Sequence, residues 1–298
     1  MSYLILSIYV IAILNMHYRG NVRFPWSRQI MTHTNYLAPY NLLMNLCAKH
    51  PNEPFLDART ISDLQYLQEN WETIRDEVIS LAKEGGIKNA KGVQDVGFNS
   101  FFRTGWTRFY LKWYDDYMPS AIQKCPKTIE ILKKTLSINA AMFASLPPGA
   151  VLRPHRDPYA GSLRYHLGLI TPNSDNCYIK VDDKRSAWKD GEHILFDETF
   201  LHEAHNETDQ QRIILFADVH RPMRYQIIDK FNHWVSDHII KISTSQNDET
   251  EQVGFLNNFL KYGLSVRNYS KVIKKWNRNI YYSLKYMLFF GLIYLLFL

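Results

Sequence analysis

Cysteine is nearly absent from this chain. Three occur in 298 residues, Cys47, Cys125 and Cys177, at spacings that form neither a metal knuckle nor a disulfide framework. A disulfide-stapled fold is therefore excluded and a reducing compartment is expected. No GxGxxG turn, no GxxxxGK[ST] loop and no internal repeat occurs, which removes dinucleotide-binding parallel sheets, phosphate-cradling nucleotidases and solenoids. The repeated HxxH and HxxHH clusters that a membrane diiron hydroxylase would carry inside its spans are missing too. Charged residues make up 21% and hydrophobic ones 46%, so the chain is neither disordered nor a multi-span transporter. Lys and Arg number 35 against 29 Asp and Glu, an excess of +6 that is informative only through its distribution.

That distribution singles out both ends. Ser2 to Met16 carries no charge and is followed at once by His17, Arg19, Arg23 and Arg28. A cleavable signal needs a basic start and small residues before the cut, and neither is there, so residues 1–20 are expected to stay as a membrane anchor. It is short for a span of about twenty residues, which leaves a buried core helix as the alternative. Tyr286 to Leu298 is apolar as well, after Lys271, Lys274, Lys275, Arg278 and Lys285. Both apolar ends keep their positive charges toward the middle of the chain, which by the positive-inside rule predicts a cytoplasm-facing body. Lys261 to Lys285 contains no Asp or Glu and would be drawn to an anionic phospholipid surface by about 1 kcal/mol per charge. Its interleaved Tyr269, Trp276, Tyr281 and Tyr282 fit a membrane interface beside an apolar tail better than nucleic acid, and no nucleic-acid partner is expected.

Between the ends, Ser62 to Gly86 reads as one amphipathic helix, with Leu64, Leu67, Trp71, Ile74, Val78 and Leu81 at helical spacing, a Ser62-x-x-Gln65 capping box and a Gly85-Gly86 stop. Pro126 to Leu136 reads as a second. Phe98 to Tyr117 is dense in aromatics and is either a buried strand pair or helix, or the wall of a substrate channel using Trp106 and Trp113. From Ile138 onward, short β-like runs alternate with turn clusters, which predicts a sandwich or barrel. The expected organisation is an anchor at 1–20, a helical and aromatic-rich region at 21–137, a β core at 138–222, a basic and largely helical region at 223–285, and a second anchor at 286–298.

His155-Arg156-Asp157 places an imidazole and a carboxylate two residues apart, on one face of an extended strand. With His202 they form two histidines and one carboxylate, the facial triad that holds Fe(II) and leaves three positions for substrate and O2. An HxD pair alone is more often structural than a ligand set. Its company raises it: if a hairpin turns near Glu207, Arg212 lies opposite His202 and enters the same cavity, where its fork suits a carboxylate. The alternative for Arg212 is an ion pair with Asp218 or Asp197. Arg164 and His166 share a face of the preceding strand, Asp197 and Glu198 are expected to orient His202, and His193, His205 and His220 are expected to face outward.

PPGAVLRPHRDPYAGSLRYHLGLITP, the Trp188 to Gly191 turn and FDETFLHEAHNETDQQRIILFADVHRP resemble, in order and spacing across Ile138 to Pro222, the aspartyl/asparaginyl β-hydroxylase family of Fe(II)/2-oxoglutarate dioxygenases. With FNSFFRTGWTRFYLKWYD, KCPKT and the two ends added, the whole chain is similar to the membrane-associated branch that hydroxylates lipid A in Gram-negative bacteria. The resemblance implies a mainly β catalytic core, a double-stranded β-helix or jelly roll with flanking α-helices and terminal membrane anchors. It also implies iron on His155, Asp157 and His202, the distal carboxylate of 2-oxoglutarate on Arg212, and Arg164 with His166 near its chelating end. The activity implied is 2-hydroxylation of a secondary acyl chain of lipid A in the inner membrane, with succinate and CO2 as co-products. An ornithine lipid is the nearest alternative substrate, and peptidyl Asp or Asn a more distant one. The peptide-modifying branch has Gly where this chain has Asp157, and Ser where it has Ala144.

Overall fold

A computed structural model describes residues 2–87, 98, 101–114, 116–248, 251, 254, 270, 272–284 and 287. Runs of apolar and β-branched residues between turn clusters become strands: β1 (Phe55–Leu56), β2 (Thr107–Trp113), β3 (Asp116–Tyr117), β4 (Ile138–Leu146), β5 (Val151–His155), β6 (Ser162–Ile170), β7 (Cys177–Val181), β8 (Lys184–Ala187), β9 (His193–Phe196), β10 (His202–Asn206) and β11 (Arg212–His220). The turns supply the chemistry each reversal needs. Gly149 takes φ +69° between β4 and β5, and Asp182 takes φ +57° in the two-residue turn that pairs β7 with β8.

Two antiparallel sheets result. One runs β1-β9-β6-β11-β4-β2-β3 and the other β5-β10-β7-β8. β4, β5, β6 and β7 alternate between the two sheets, β8 stays beside β7, β9 returns to the larger sheet, and β4 with β11 and β5 with β10 lie side by side. Phe143, Leu167 and Leu215 are fully buried in the larger sheet. The chain from Phe98 to Tyr117 resolves into a 3-10 turn, the inner strand β2 and the short edge strand β3, rather than a helix.

One expectation about this core is corrected. His202 and Arg212 do not face each other across a hairpin, because β10 and β11 belong to different sheets. The Asn206 amide holds the crossing open by donating to the carbonyls of Leu146 (3.2 Å), Pro147 (3.1 Å) and Gln210 (2.8 Å). A satisfied side-chain amide in place of ladder bonds lets the backbone leave one sheet for the other.

The helices that pack with the body are α1 (Ser2–Tyr18), α2 (Trp26–Gln29), α3 (Ala38–Cys47), α4 (Asp63–Glu69), α5 (Trp71–Lys83), α6 (Pro119–Lys124), α7 (Pro126–Lys134) and α8 (Gln226–Val235), and residues 272–276 and 278–284 are helical as well. The single helix expected over Ser62–Gly86 is two. Asn70 leaves helical geometry at φ −99° and ψ 15°, and its side chain donates to the Tyr66 carbonyl at 2.8 Å, competing with the ladder. Ser62 makes no capping bond, so the expected box does not form. The stop does form: Gly85 sits at φ +68° and the Gly86 N–H reaches the Leu81 carbonyl. Leu64, Leu67, Ile74, Val78 and Leu81 bury against the larger sheet and α7.

The N-terminal apolar segment is the helix α1, with Tyr3 to Leu6, Ile8 to Ile11 and Leu14 exposed. Only its last turns are covered, by Ala38 and Leu42 of α3 against Ala12 and Met16. No described helix is long and apolar enough to cross a membrane. The second anchor, apart from Met287, and much of the basic region before it lie outside the described residues.

Candidate metal centre

His155 closes β5 and His202 opens β10, and the two are direct cross-strand partners with ring centroids 4.2 Å apart. Asp157 follows just past the end of β5, where its backbone N–H bonds to the Glu198 carbonyl at 3.0 Å. One donor atom from each of the three comes within 4.8 Å of the others, and His155 Nε2 stands 3.9 Å from Asp157 Oδ1. The imidazoles are oriented from behind. Nδ1 of His155 lies 2.8 Å from the Arg153 carbonyl, and Nδ1 of His202 lies 3.0 Å from the Phe200 carbonyl. A carbonyl only accepts, so both Nδ1 atoms carry the proton and both Nε2 lone pairs are left for a metal.

Electrostatics agree with that tautomer. Burial, then the neighbouring His155, pushes His202 down to about 3, so its imidazole is neutral. Burial would raise Asp157, but Arg164, His202 and His155 outweigh it and hold the carboxyl at about 2. Two imidazole nitrogens and one anionic oxygen, with no fourth donor grouped with them among the described residues, match the donor set of an oxygen-activating Fe(II) site.

Arg164 is placed differently from its expected role. Its guanidinium is enclosed by three carboxylates: Asp157 at 2.8 Å, Asp218 at 2.7 Å, and Glu198 in closer contact. Register explains the meeting, since Arg164 on β6 faces Asp218 on β11. One cation cannot neutralise three buried anions, and burial raises Glu198 well above the usual carboxylate range. Arg164 therefore fixes Asp157 instead of offering a free fork to a co-substrate. Asp197 and Glu198 do not orient His202 either. Asp197 pairs with Arg19 at 2.5 Å and Arg221 at 2.8 Å, while Glu198 accepts from Ser162 at 2.7 Å and acts on Asp157 through Arg164.

Arg212 remains. It is 2% exposed and lies over the Trp188 ring at 4.4 Å; its sole hydrogen bond is a long one, 3.5 Å, to the Ala144 carbonyl, and Nε has no partner. The carboxylates that could have neutralised it are taken: Asp218 by Arg164, and Asp197 by Arg19 and Arg221. Burial lowers the group to about 10, still charged at neutral pH. His166 is beside it, accepting from Trp188 Nε1 at 3.2 Å on Nδ1 and leaving a buried Nε2 without a partner. Arg212, His166, Trp188 and Trp106 line one cavity with His155, Asp157 and His202, with about 420 Å³ of empty space. Trp106 thus reaches the centre; Trp113 does not, and lines a separate small cavity with Asp218 and Arg164.

Asp218, Glu198, Trp188 and Arg221 were not singled out as functional by sequence reasoning in these roles, because each depends on strand register. His220, expected to face outward, is partly buried with Nε2 2.9 Å from Asp229.

The family model for aspartyl/asparaginyl β-hydroxylase matches residues 68–222. The ornithine lipid ester-linked acyl 2-hydroxylase of Rhizobium tropici is 32% identical over 179 residues, covering 59% of this chain and 64% of that protein. Aspartate β-hydroxylase domain-containing protein 2 of Homo sapiens is 32% identical over 169 residues, 54% of this chain and 45% of the relative. The human aspartyl/asparaginyl β-hydroxylase is 28% identical over 164 residues, 52% and 21%. The chain thus spans less than two thirds of the length of each of these relatives. With a matched region that takes in β2 through β11 and every residue of the centre described above, the chain belongs to the aspartyl/asparaginyl β-hydroxylase family.

Proposed function

We propose that the protein is an Fe(II)- and 2-oxoglutarate-dependent dioxygenase that hydroxylates C2 of an acyl chain on a membrane lipid. The winding of β4 to β11 is read as the double-stranded β-helix of such enzymes, with His155, Asp157 and His202 as iron ligands. The observation that carries the reading is Arg212, a buried cation with no carboxylate partner, facing the same cavity as the triad. A dicarboxylate co-substrate supplies the missing anion, and truncating such a pair is costly because the remaining charge is left buried.

Bound iron would supply oxygen activation, with one oxygen atom entering the substrate C–H bond and the other entering succinate as CO2 leaves. The chain's own groups do the positioning. The Arg153 and Phe200 carbonyls hold the two imidazoles in the metal-binding tautomer. Arg164 fixes Asp157 by one oxygen. Arg212 orients the distal carboxylate, and His166 offers its unpaired Nε2 to the same co-substrate. Trp106, Trp188 and Phe216 exclude water from the cavity.

Lipid A, at a secondary acyl chain, is the first substrate reading, because of the resemblance over the whole chain. An ornithine lipid is the second, favoured by the 32% identity to the Rhizobium tropici enzyme. The exposed apolar α1, with Arg19, Arg23 and Arg28 after it, supports attachment to the inner membrane with the body toward the cytoplasm and anionic phospholipid as its surface.

The test is mass spectrometry of lipids from a Gram-negative host that makes ornithine lipid and lacks acyl 2-hydroxylation, expressing the wild-type chain or His155→Ala. A lipid A species heavier by one oxygen at C2, absent with the variant, is expected. The same gain on ornithine lipid alone selects the second substrate. Unmodified lipids from expressed, iron-loaded protein overturn the lipid reading.

A further inference from the structure

A second cluster of metal-binding side chains lies away from the centre described above. His220 ends β11, and Asp229 and His233 stand one turn apart on one face of α8. One donor atom from each comes within 4.8 Å of the others, as in only one further group among the described residues, the facial triad itself. His220 Nε2 lies 2.9 Å from Asp229 Oδ1, and His233 Nε2 lies 3.8 Å from Asp229 Oδ2. The first distance is a hydrogen bond, which accounts for His220 and Asp229 as a structural pair. The second is too long for one, so hydrogen bonding does not hold His233 in the cluster.

Each ligand stands on backbone that is fixed independently of the cluster. β11 pairs His220 with Ser162 on β6, and the His220 N–H reaches the Ser137 carbonyl at 2.8 Å. α8 is held by the buried Asn232, whose amide donates to the Gly161 carbonyl at 2.9 Å and accepts from Tyr159 and Tyr40 at 2.8 and 2.6 Å. Donors on one ion, at bonds of about 2.0–2.2 Å, stand roughly 3 Å apart. The His220–Asp229 separation already meets that spacing, and His233 must close by under about 1 Å. The two imidazoles lie face to face, 3.9 Å between centroids and 8° from parallel, so their lone pairs run side by side and converge on one point only when one ring turns. His233, with 51% of its side chain exposed, has the room to swing its Nε2 toward Asp229.

We propose that His220, Asp229 and His233 bind one Zn(II) ion, which clips α8 to the end of β11. Two imidazole nitrogens and one carboxylate oxygen suit a borderline divalent ion, whereas Mg(II) and Ca(II) take mainly oxygen ligands and more of them. The donor types are those of the iron centre, but the surroundings differ. None of the three residues lines the cavity that holds Arg212, so no co-substrate carboxylate is served there and a redox-inert ion fits. A fourth tetrahedral position is left to water.

The experiment uses the full chain in detergent micelles, free of any affinity tag and stripped of metal by chelation. Calorimetric titration with Zn(II) is expected to find two sites in the wild type, one at the facial triad and one here, and a single site in His202→Ala. In that His202→Ala background, His233→Ala should weaken the remaining site at least tenfold. Alanine is the best helix former and His233 is half exposed, so α8 keeps its fold. Asp229→Asn keeps the shape, removes the anion, and should weaken the site as much. Zn(II) should also slow amide hydrogen exchange across Gln226–Val235 in the His202→Ala protein, and not in its His233→Ala derivative, which locates the ion on α8. Exchange that Zn(II) leaves unchanged overturns the clip. No Zn(II) site left in His202→Ala, or a remaining site that either variant leaves unweakened, overturns the three-residue site. None of these readouts uses turnover. One site in the wild type that persists in His202→Ala would count against the iron centre and leave this site standing.

Discussion

Arg164 and Asp157 divide the work of one carboxylate: Nη2 of the arginine takes Oδ2 at 2.8 Å, while Oδ1 faces His155 Nε2 at 3.9 Å. One oxygen is thereby fixed and the other is left for a cation. Asp157 is thus expected to bind through a single oxygen, leaving three of six octahedral positions open.

Asp157→Ala and His202→Ala should each lower Fe(II) affinity by at least a hundredfold. Anaerobic equilibrium dialysis with metal analysis checks this without needing substrate. Wild-type affinity in either variant would remove that residue from the ligand set.

Arg212→Met should act in opposite directions on stability and on co-substrate use. Removing an unpaired buried cation is expected to stabilise the co-substrate-free protein by roughly 1–3 kcal/mol, read from urea midpoints. The KM for 2-oxoglutarate should rise on the order of a hundredfold, since a lost buried charge pair costs about 2–5 kcal/mol. Fe(II) affinity should stay as it was. A destabilised variant with normal KM would place Arg212 in a structural role.

Acid should destabilise the metal-free protein through its buried neutral histidines. Burial, then His155, holds His202 at about 3, and burial, then Arg212 and Arg164, holds His166 well below its ordinary value. In the unfolded chain both regain a pKa of about 6.5. The unfolded state therefore binds more protons below pH about 6.5, and stability falls as pH drops from there toward 3, by up to about 1.4 kcal/mol per pH unit for each histidine. Urea midpoints at pH 7.5, 6 and 5 measure the slope, which His202→Asn should make shallower. Equal midpoints at all three pH values would contradict the buried neutral assignment.

The two tryptophans considered for an acyl channel should separate. Trp106→Leu is expected to change the preferred acyl chain length, because Trp106 lines the cavity of the metal centre. Trp113→Leu is expected to change stability alone. Hydroxylation of a series of lipids differing by two carbons decides between them, and identical selectivity in both variants would count against any channel role.

How far the sequence could be read depended on the range of each interaction. His155 and Asp157 were legible because their spacing is local to one extended segment. Arg212 was legible as a buried cation, although the route to it was wrong: it shares a cavity with His202 from a different sheet, not along one hairpin. The enclosure of Arg164 was not legible, since it depends on the pairing of β6 with β11 that sets Arg164 opposite Asp218. Nor was the break at Asn70, where a side chain of ordinary helix propensity turns back onto the Tyr66 carbonyl. Arg19 gave no local sign of its partner, because Asp197 is 178 residues away in the chain.

His155 and Asp157 turn toward the metal centre, while Arg156 between them turns the other way and donates to the Met16 carbonyl in the last turn of α1 at 2.6 Å, and these opposed directions impose a parity rule on this stretch of chain. A gain or loss of one residue between Val151 and Asp157 would exchange odd for even, bringing a permanent positive charge to the place of the cation and sending two of its donors beneath α1. Two-residue changes would keep the phase but shift the pairing of His155 with His202. Length variation among functional homologues should therefore collect in the Pro147–Ala150 turn, where Gly149 stands in open space at φ +69°, and stop abruptly at Val151.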